Sequence, residues 1–350
     1  MSSQHSDRIP VALIGYGGSG SGIHRHLISA VPQLRLATVI ARHPERIRQA
    51  QEDLPQAYAT SDLAAVDDCA VVVVAVPPAS RLDMVEELLR AGKYVVVEKP
   101  MASGLDETLE LVKALPEPRL TVFHNRRWDS DFLTLEKLRT NGAWTSPARL
   151  ESRIQWWQPQ IRDTWRNNPA GGGILTEVGT HLIDQALKLL GPVTSVYAEL
   201  GARRRGAKAE DDVFIALEHS DGSHSHLSAG PLGDPDAPRF RLTTDETLIT
   251  LGTADPQQSQ LAAGLTPLDG DWGQPEASDW TLRYGNGDVE SLQAERGGWE
   301  AFYDGVAKWA ANDGTPAPVS VEEGVATMHV VDAARRSAAD SRLVHLHEWN

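Results

Sequence analysis

Short apolar runs alternate with amphipathic stretches through the first third of the chain. Pro10–Ile14 (PVALI), Leu36–Ile40 (LATVI), Ala70–Val76 (AVVVVAV), Tyr94–Val97 and Leu120–Phe123 each read as a strand. The third run is apolar throughout, as a strand covered on both faces requires. Helical stretches separate them: one through His26 and Ile28 to Ala30, then Glu45–Leu54, Arg81–Ala91 and Leu105–Leu115. Gly92 is placed to end the third helix, and Asp62 to cap a short turn before the third strand. Strand, helix, strand repeated in this way predicts a parallel sheet with right-handed crossovers, an α/β fold.

The pattern changes near His124–Asn125, which sets domains at 1–124 and 125–350. A helix over Phe132–Thr140 precedes strands of alternating character: Ala148–Trp157, Ser195–Leu200, Asp212–His219, Ser223–Ala229, Arg239–Thr243 and Thr247–Leu251. Ser220-Asp221-Gly222 is a hairpin signal between two of them. A helix over Thr180–Leu190 ends at Gly191-Pro192. This predicts a second α/β domain with a mostly antiparallel or mixed sheet and helices on one side. Residues 253–298 read as a long excursion with short strands. Helices over Trp299–Asn312 and Val321–Ser341 close the chain.

Composition narrows the function classes. The 350 residues are 41% hydrophobic and 23% charged, enough for a sizeable core in each of two domains. Lys plus Arg is 33 against 48 Asp plus Glu, a net charge of −15, and no long basic run relieves it. Nucleic acid is therefore a poor partner, and the acid excess reads as solubility. No stretch approaches the roughly 20 apolar residues of a membrane span. The single cysteine, Cys69, precedes an apolar run and reads as a small buried thiol. These features point to the cytoplasm.

Four segments carry chemistry. Gly15-Tyr16-Gly17-Gly18-Ser19-Gly20 is a G-x-G-x-x-G run after a strand and before a helix. Gly15 permits the tight turn, Gly17 a close approach of a pyrophosphate, and Gly20 close helix packing. Tyr16 lies within that turn. The second strand ends Ile40-Ala41-Arg42-His43, with no acid at its tip to bind a ribose 2′-hydroxyl. Arg42 suits a 2′-phosphate instead, so NADP is favoured, with Glu45 keeping NAD as the alternative. Glu98-Lys99-Pro100 follows the fourth strand, where Lys99 can donate to a substrate hydroxyl oxygen. In Gly171-Gly172-Gly173-Ile174-Leu175-Thr176-Glu177-Val178-Gly179-Thr180-His181-Leu182-Ile183-Asp184, Glu177, His181 and Asp184 share one face of a helix. A neutral histidine there can take a hydroxyl proton. No Cys or second near His completes a metal set, and a buried polar cluster is the alternative.

Together these segments resemble the glucose–fructose oxidoreductase/inositol dehydrogenase (Gfo/Idh/MocA) family, nearly end to end. The order matches: glycine turn, EKP, then GGG followed by an acid and a histidine. Val122–Phe132, Arg162-Asp163 with Trp165-Arg166, Asp255-Pro256-Gln257 and Asp271-Trp272-Gly273 look like its NADP-dependent scyllo-inositol dehydrogenase branch. The resemblance implies a doubly wound Rossmann domain for NADP. It implies a C-terminal domain with a large open sheet for substrate and oligomerisation. It implies Lys99 and His181 as the catalytic pair, Glu177 on substrate hydroxyls, and Glu98, Pro77 and Arg127 near the cofactor.

This chain departs from the pattern at three places. Glu177 stands where the family usually has Asp. Val76-Pro77-Pro78-Ala79-Ser80-Arg81 stands for Thr-Pro-Asn with a later His. Gln155-Trp156-Trp157-Gln158 stands where the scyllo-inositol branch tends to carry Arg and Asp, and Trp156 suits stacking on a pyranose or cyclitol. The activity implied is hydride transfer to or from a small polyol, cyclitol or sugar, by a homodimer or homotetramer. A non-catalytic dinucleotide-binding regulator and a sugar-nucleotide ketoreductase are the alternatives.

Overall fold

The computed structural model describes residues 8–113, 119–161, 173–252, 254–276 and 279–346. The chain divides into two compact units. The first comprises Met1–Trp128, Gln257–Gly273 and Gly298–Gly324; the second comprises Asp129–Pro256, Gln274–Gly297 and Val325–Asn350.

In the first unit the apolar runs become strands: β1 Ile9–Ile14, β2 Leu34–Ile40, β3 Tyr58–Thr60, β4 Val71–Val74, β5 Tyr94–Glu98 and β6 Leu120–Phe123. They form one parallel sheet in the order β3-β2-β1-β4-β5-β6, the doubly wound dinucleotide-binding order. Helices α1 Arg25–Ala30, α2 Pro44–Asp53, α3 Leu82–Arg90 and α4 Leu105–Lys113 make the crossovers. Val71, Val72, Val73 and Val74 are each 0% exposed. Burial on both faces of the sheet explains their continuous apolar run, and each stabilises the fold by about 1.5–3 kcal/mol relative to exposure. Asp62 accepts the Ala64 N–H at 3.0 Å and so caps a short 3₁₀ turn. Cys69 is buried beside Thr38, and burial pushes its thiol pKa up.

Two late segments complete this unit. Gln257, at the start of α7 (Gln257–Ala262), donates to the Trp128 carbonyl and accepts the Trp299 N–H, at 3.0 and 2.7 Å. Near α8 (Glu300–Ala310), Phe302 stacks edge-on against Phe123 and Trp128. An aromatic cluster thus packs against the end of the edge strand β6. Its members are far apart in sequence, so no local pattern announces it.

The second unit is built on α5 (Ser130–Thr140), α6 (Thr180–Leu190) and nine strands. The strands are β7 Arg149–Gln155, β8 Val193–Gly201, β9 Asp212–His219, β10 His224–Gly230, β11 Phe240–Thr243, β12 Thr247–Leu251, β13 Thr281–Tyr284, β14 Val289–Ser291 and β15 Val344–His345. Their order among the described residues is β14-β13-β12-β11-β7-β10-β9-β8-β15. Every neighbouring pair is antiparallel except β7 with β10. Asp221 turns the β9–β10 hairpin by accepting the Ser223 N–H at 2.9 Å. Leu182, Ile183, Ala186 and Leu189 of α6 pack on Val196, Ile215, Leu217 and Leu227 of the sheet, all 1% exposed or less.

Candidate active site

The glycine turn sits at the carboxyl end of β1. Gly15 has φ +99°, and a Cβ there would lie 2.5 Å from the Ala75 carbonyl oxygen. A Cβ on Gly20 would lie 1.9 Å from the Gly15 oxygen. Both places therefore exclude a side chain. Gly17 differs: nothing lies within 4 Å of its Cβ position. The turn thus has open space where a pyrophosphate needs to approach, and the residues present fit a dinucleotide. The expected regular helix opens instead on an i→i+5 π turn, Gly20–His24, before α1. Tyr16 is 1% exposed, and its hydroxyl donates to Asp53 at 2.9 Å, which also pairs with Arg25 at 3.2 Å. Burial, first, and that bond push the phenol pKa above its ordinary value. The Tyr16 hydroxyl thus ties the turn to α2.

At the tip of β2, Ala41 is buried and donates its N–H to the Thr60 carbonyl at 3.0 Å. Arg42 and Glu45 are both exposed. Arg42 makes no ion pair with a described residue, so its guanidinium is available to a phosphate. The turn after β4 leaves Pro77 exposed and buries Pro78 and Arg81. Arg81 Nη1 reaches the Val76 carbonyl at 3.4 Å, and burial lowers the guanidinium pKa to about 10 against the pull of Glu98 and Glu107.

Glu98 ends β5, and Lys99 follows half-buried. Glu98 Oε1 accepts from Ser19 Oγ and from His24 Nε2, the latter at 3.0 Å. Oε2 accepts the Lys99 N–H at 3.2 Å. Burial raises the Glu98 pKa, but the hydrogen bond from His24, with the Lys99 charge and the Ser19 hydroxyl, outweighs it and holds the carboxyl below its ordinary value. A carboxylate, not a carboxylic acid, therefore stands beside Lys99. Arg127 is buried in the same unit and pairs with Glu323 at 2.9 Å.

In the second unit Gly171 and Gly172 lie outside the described residues, as do Arg162, Asp163, Trp165 and Arg166. Gly173 has φ +93° and abuts the Glu210 carboxylate, 2.1 Å from where its Cβ would be. A second π turn, Leu175–Gly179, carries Glu177 and leads into α6. Its looser winding replaces the first turn of the single regular helix read from spacing. Glu177 is half-buried, His181 is 7% exposed and Asp184 2%. Beneath them Arg239 donates to Gln185 of α6 and to Ser152 of β7, each at 2.6 Å, with Asp131 at 3.5 Å. Trp156 is half-buried against the core of its unit, while Trp157 is 65% exposed.

Among the described residues no group of three or more His, Cys, Asp or Glu is arranged to hold a metal ion, and no helix is long and apolar enough to cross a membrane. Residues 9–125 match the oxidoreductase family with the NAD-binding Rossmann fold, and residues 132–250 match the GFO/IDH/MocA C-terminal domain. The chain belongs to the Gfo/Idh/MocA oxidoreductase family. Within this NAD(P)-binding family it is 29% identical to scyllo-inositol 2-dehydrogenase (NADP(+)) IolW of Bacillus subtilis, covering 97% of this chain and 96% of that one. It is 31% identical to the oxidoreductase YdgJ of Escherichia coli, over 95% and 97%. The yvaA structure from Bacillus subtilis superposes with TM-score 0.90 at 28% identity, over 97% and 99% of the two chains.

Three contributors to this Gfo/Idh/MocA site escaped the sequence reading. Ser19 lies inside the glycine segment, and His24 ends the π turn that follows it. Tyr303, bound to His24, lies 279 residues away and has no local signal.

Proposed function

We propose that this protein is an NADP-dependent dehydrogenase acting on a secondary alcohol or ketone carbon of a cyclitol or sugar, scyllo-inositol-like or an aldose. The observation that carries this reading is the Glu98–Lys99 turn at the carboxyl end of the parallel sheet, in the same unit as a glycine turn open at Gly17. NADP supplies hydride acceptance or donation when bound; the protein supplies binding, orientation and proton handling. The Lys99 ammonium holds the substrate hydroxyl oxygen and stabilises negative charge developing there. The His181 imidazole takes the hydroxyl proton, and returns it in the reverse direction. Glu177, one methylene longer than the usual Asp, accepts from neighbouring hydroxyls, and Trp156 offers an aromatic face to the ring. The backbone of Gly15, Tyr16, Gly17 and Gly20 binds the pyrophosphate, and Ala41 and Arg42 bind the 2′-phosphate end. Pro77, Glu98 and Arg127 line the remainder of the dinucleotide site. The NADP preference of the named relative IolW agrees with this choice. Packing of the nine-stranded sheets of two copies would give the homodimer or homotetramer we propose, a state that sedimentation of the full chain measures.

The test is absorbance of reduced nicotinamide on mixing the protein with NADP+ and a panel of inositols and aldoses. Wild type should turn over at least one of them, and Lys99→Ala should lose about 10²–10⁴-fold in kcat. Equal turnover in the variant removes Lys99 from the mechanism. Arg42→Ala should weaken NADP+ by about tenfold and leave NAD+ unchanged, as loss of a charge-assisted phosphate contact requires.

A further inference from the structure

The Glu98 carboxylate is held from behind by two fully buried side chains. His24 and Tyr303 are each 0% exposed, whereas the Glu98 side chain is 16% exposed. His24 Nδ1 lies 2.5 Å from the Tyr303 hydroxyl, and Nε2 lies 3.0 Å from Glu98 Oε1. One proton assignment satisfies every group: Tyr303 O–H donates to Nδ1, and Nε2–H donates to Oε1. The rings are fixed by aromatic packing. His24 lies 4.5 Å from Phe123, and Tyr303 lies 5.3 Å edge-on from Phe302. The chain thus runs from α8, through the last residue of the first π turn, to the end of β5.

Burying a histidine and a tyrosine is costly unless both are partnered, and apolar residues of similar volume would pack this place as well. What the polar pair adds is direction. Oε1 is saturated by Ser19 and His24. Among the described residues Oε2 accepts the Lys99 N–H alone, and it keeps acceptor capacity for a ligand hydroxyl. We infer that His24 and Tyr303 are positioning residues that lock Glu98, so that Oε2 is presented to a hydroxyl of the bound dinucleotide and the Lys99 turn is held in place. This rests on the dehydrogenase reading above.

The experiment is calorimetric titration of the full chain with NADP+, with melting temperature and kcat measured on the same variants. His24→Leu and Glu98→Gln should each weaken NADP+ by about tenfold, the size of one lost hydrogen bond to a charged group. The double variant should be no weaker than either single one, because both break the same link. His24→Gln keeps a donor and should recover most of the affinity. Tyr303→Phe keeps the ring and should weaken binding about threefold; it carries the test alone if His24→Leu does not fold. Unchanged affinity in Tyr303→Phe and His24→Leu, with only a lower melting temperature, overturns the positioning role and leaves the dehydrogenase reading intact. Additive losses in the double variant overturn it as well. A wild-type chain that binds neither NADP+ nor NAD+ overturns both.

Discussion

Among the described residues two helices begin on an i→i+5 turn, and the turns are built by different means. At Gly20–His24 main chain crowds main chain: the obstacle to a Cβ on Gly20 is the Gly15 carbonyl at 1.9 Å. At Leu175–Gly179 side chains do the work. The obstacle at Gly173 is the Glu210 carboxylate, and α6 is anchored from below by Arg239. A carbonyl cannot move without its strand, whereas a carboxylate can rotate. The close approach within the first turn is therefore one between neighbours in sequence, Gly15 and Gly20. The second turn is fixed by residues that meet it only in the fold.

Arg239 offers the strongest way to break the second turn. It is 3% exposed, with Asp131 at 0% and Gln185 at 0%. Arg239→Ala should cost about 3–5 kcal/mol, because it removes one buried guanidinium from Asp131, Gln185 and Ser152 together. Chemical denaturation of the full chain measures this. A loss below 1 kcal/mol would mean that α6 needs no such anchor.

The two glycines sharpen the contrast directly. Gly20→Ala should cost about 3 kcal/mol or more, since no side chain can yield to relieve the clash. Gly173→Ala meets a movable carboxylate and pays mainly for its positive φ, about 1–3 kcal/mol. Equal losses in melting temperature would erase the distinction between a main-chain and a side-chain turn.

The pH dependence separates two further carboxylates, which carry opposite signs. Glu98 is brought from 4.5 to about 2 in the folded protein. Its stabilisation is complete above the unfolded value and is lost as pH falls from about 4.5 toward 2. Glu210 is raised above 4.5, chiefly by burial. Its carboxyl prefers the proton in the folded state, so its penalty develops as pH rises past 4.5 through the folded value. Glu98→Gln should therefore lower the melting temperature at pH 7, and Glu210→Gln should raise it slightly. Both differences should shrink on acidification.

The same distinction explains what the sequence made legible. Strands β1, β2, β4, β5 and β6 announce themselves as apolar runs, and Gly15, Gly17 and Gly20 are legible because they sit in one motif, with Gly20 crowded by Gly15 itself. β3 is a three-residue strand with an exposed Tyr58, too short to leave a pattern. Residues 257–273 and 298–324 join the first unit through Gln257 and Phe302, contacts that no window of sequence contains. Glu177 and His181 were legible as a pair, but the π turn between them was not, because it depends on Gly173 and Glu210. Trp156 and Trp157 read alike in sequence; only the fold shows that Trp157 is the exposed one.

Isotope transfer tests the central claim most directly. A cyclitol or sugar substrate found in the absorbance panel, carrying deuterium on its reacting ring carbon, is incubated with the protein and NADP+, and the reduced dinucleotide is read by mass spectrometry. Direct hydride transfer predicts that the deuterium appears in NADPH in wild type and that label transfer collapses in Lys99→Ala. Reduced dinucleotide that carries no label, or labelled product formed equally well by the variant, would contradict it.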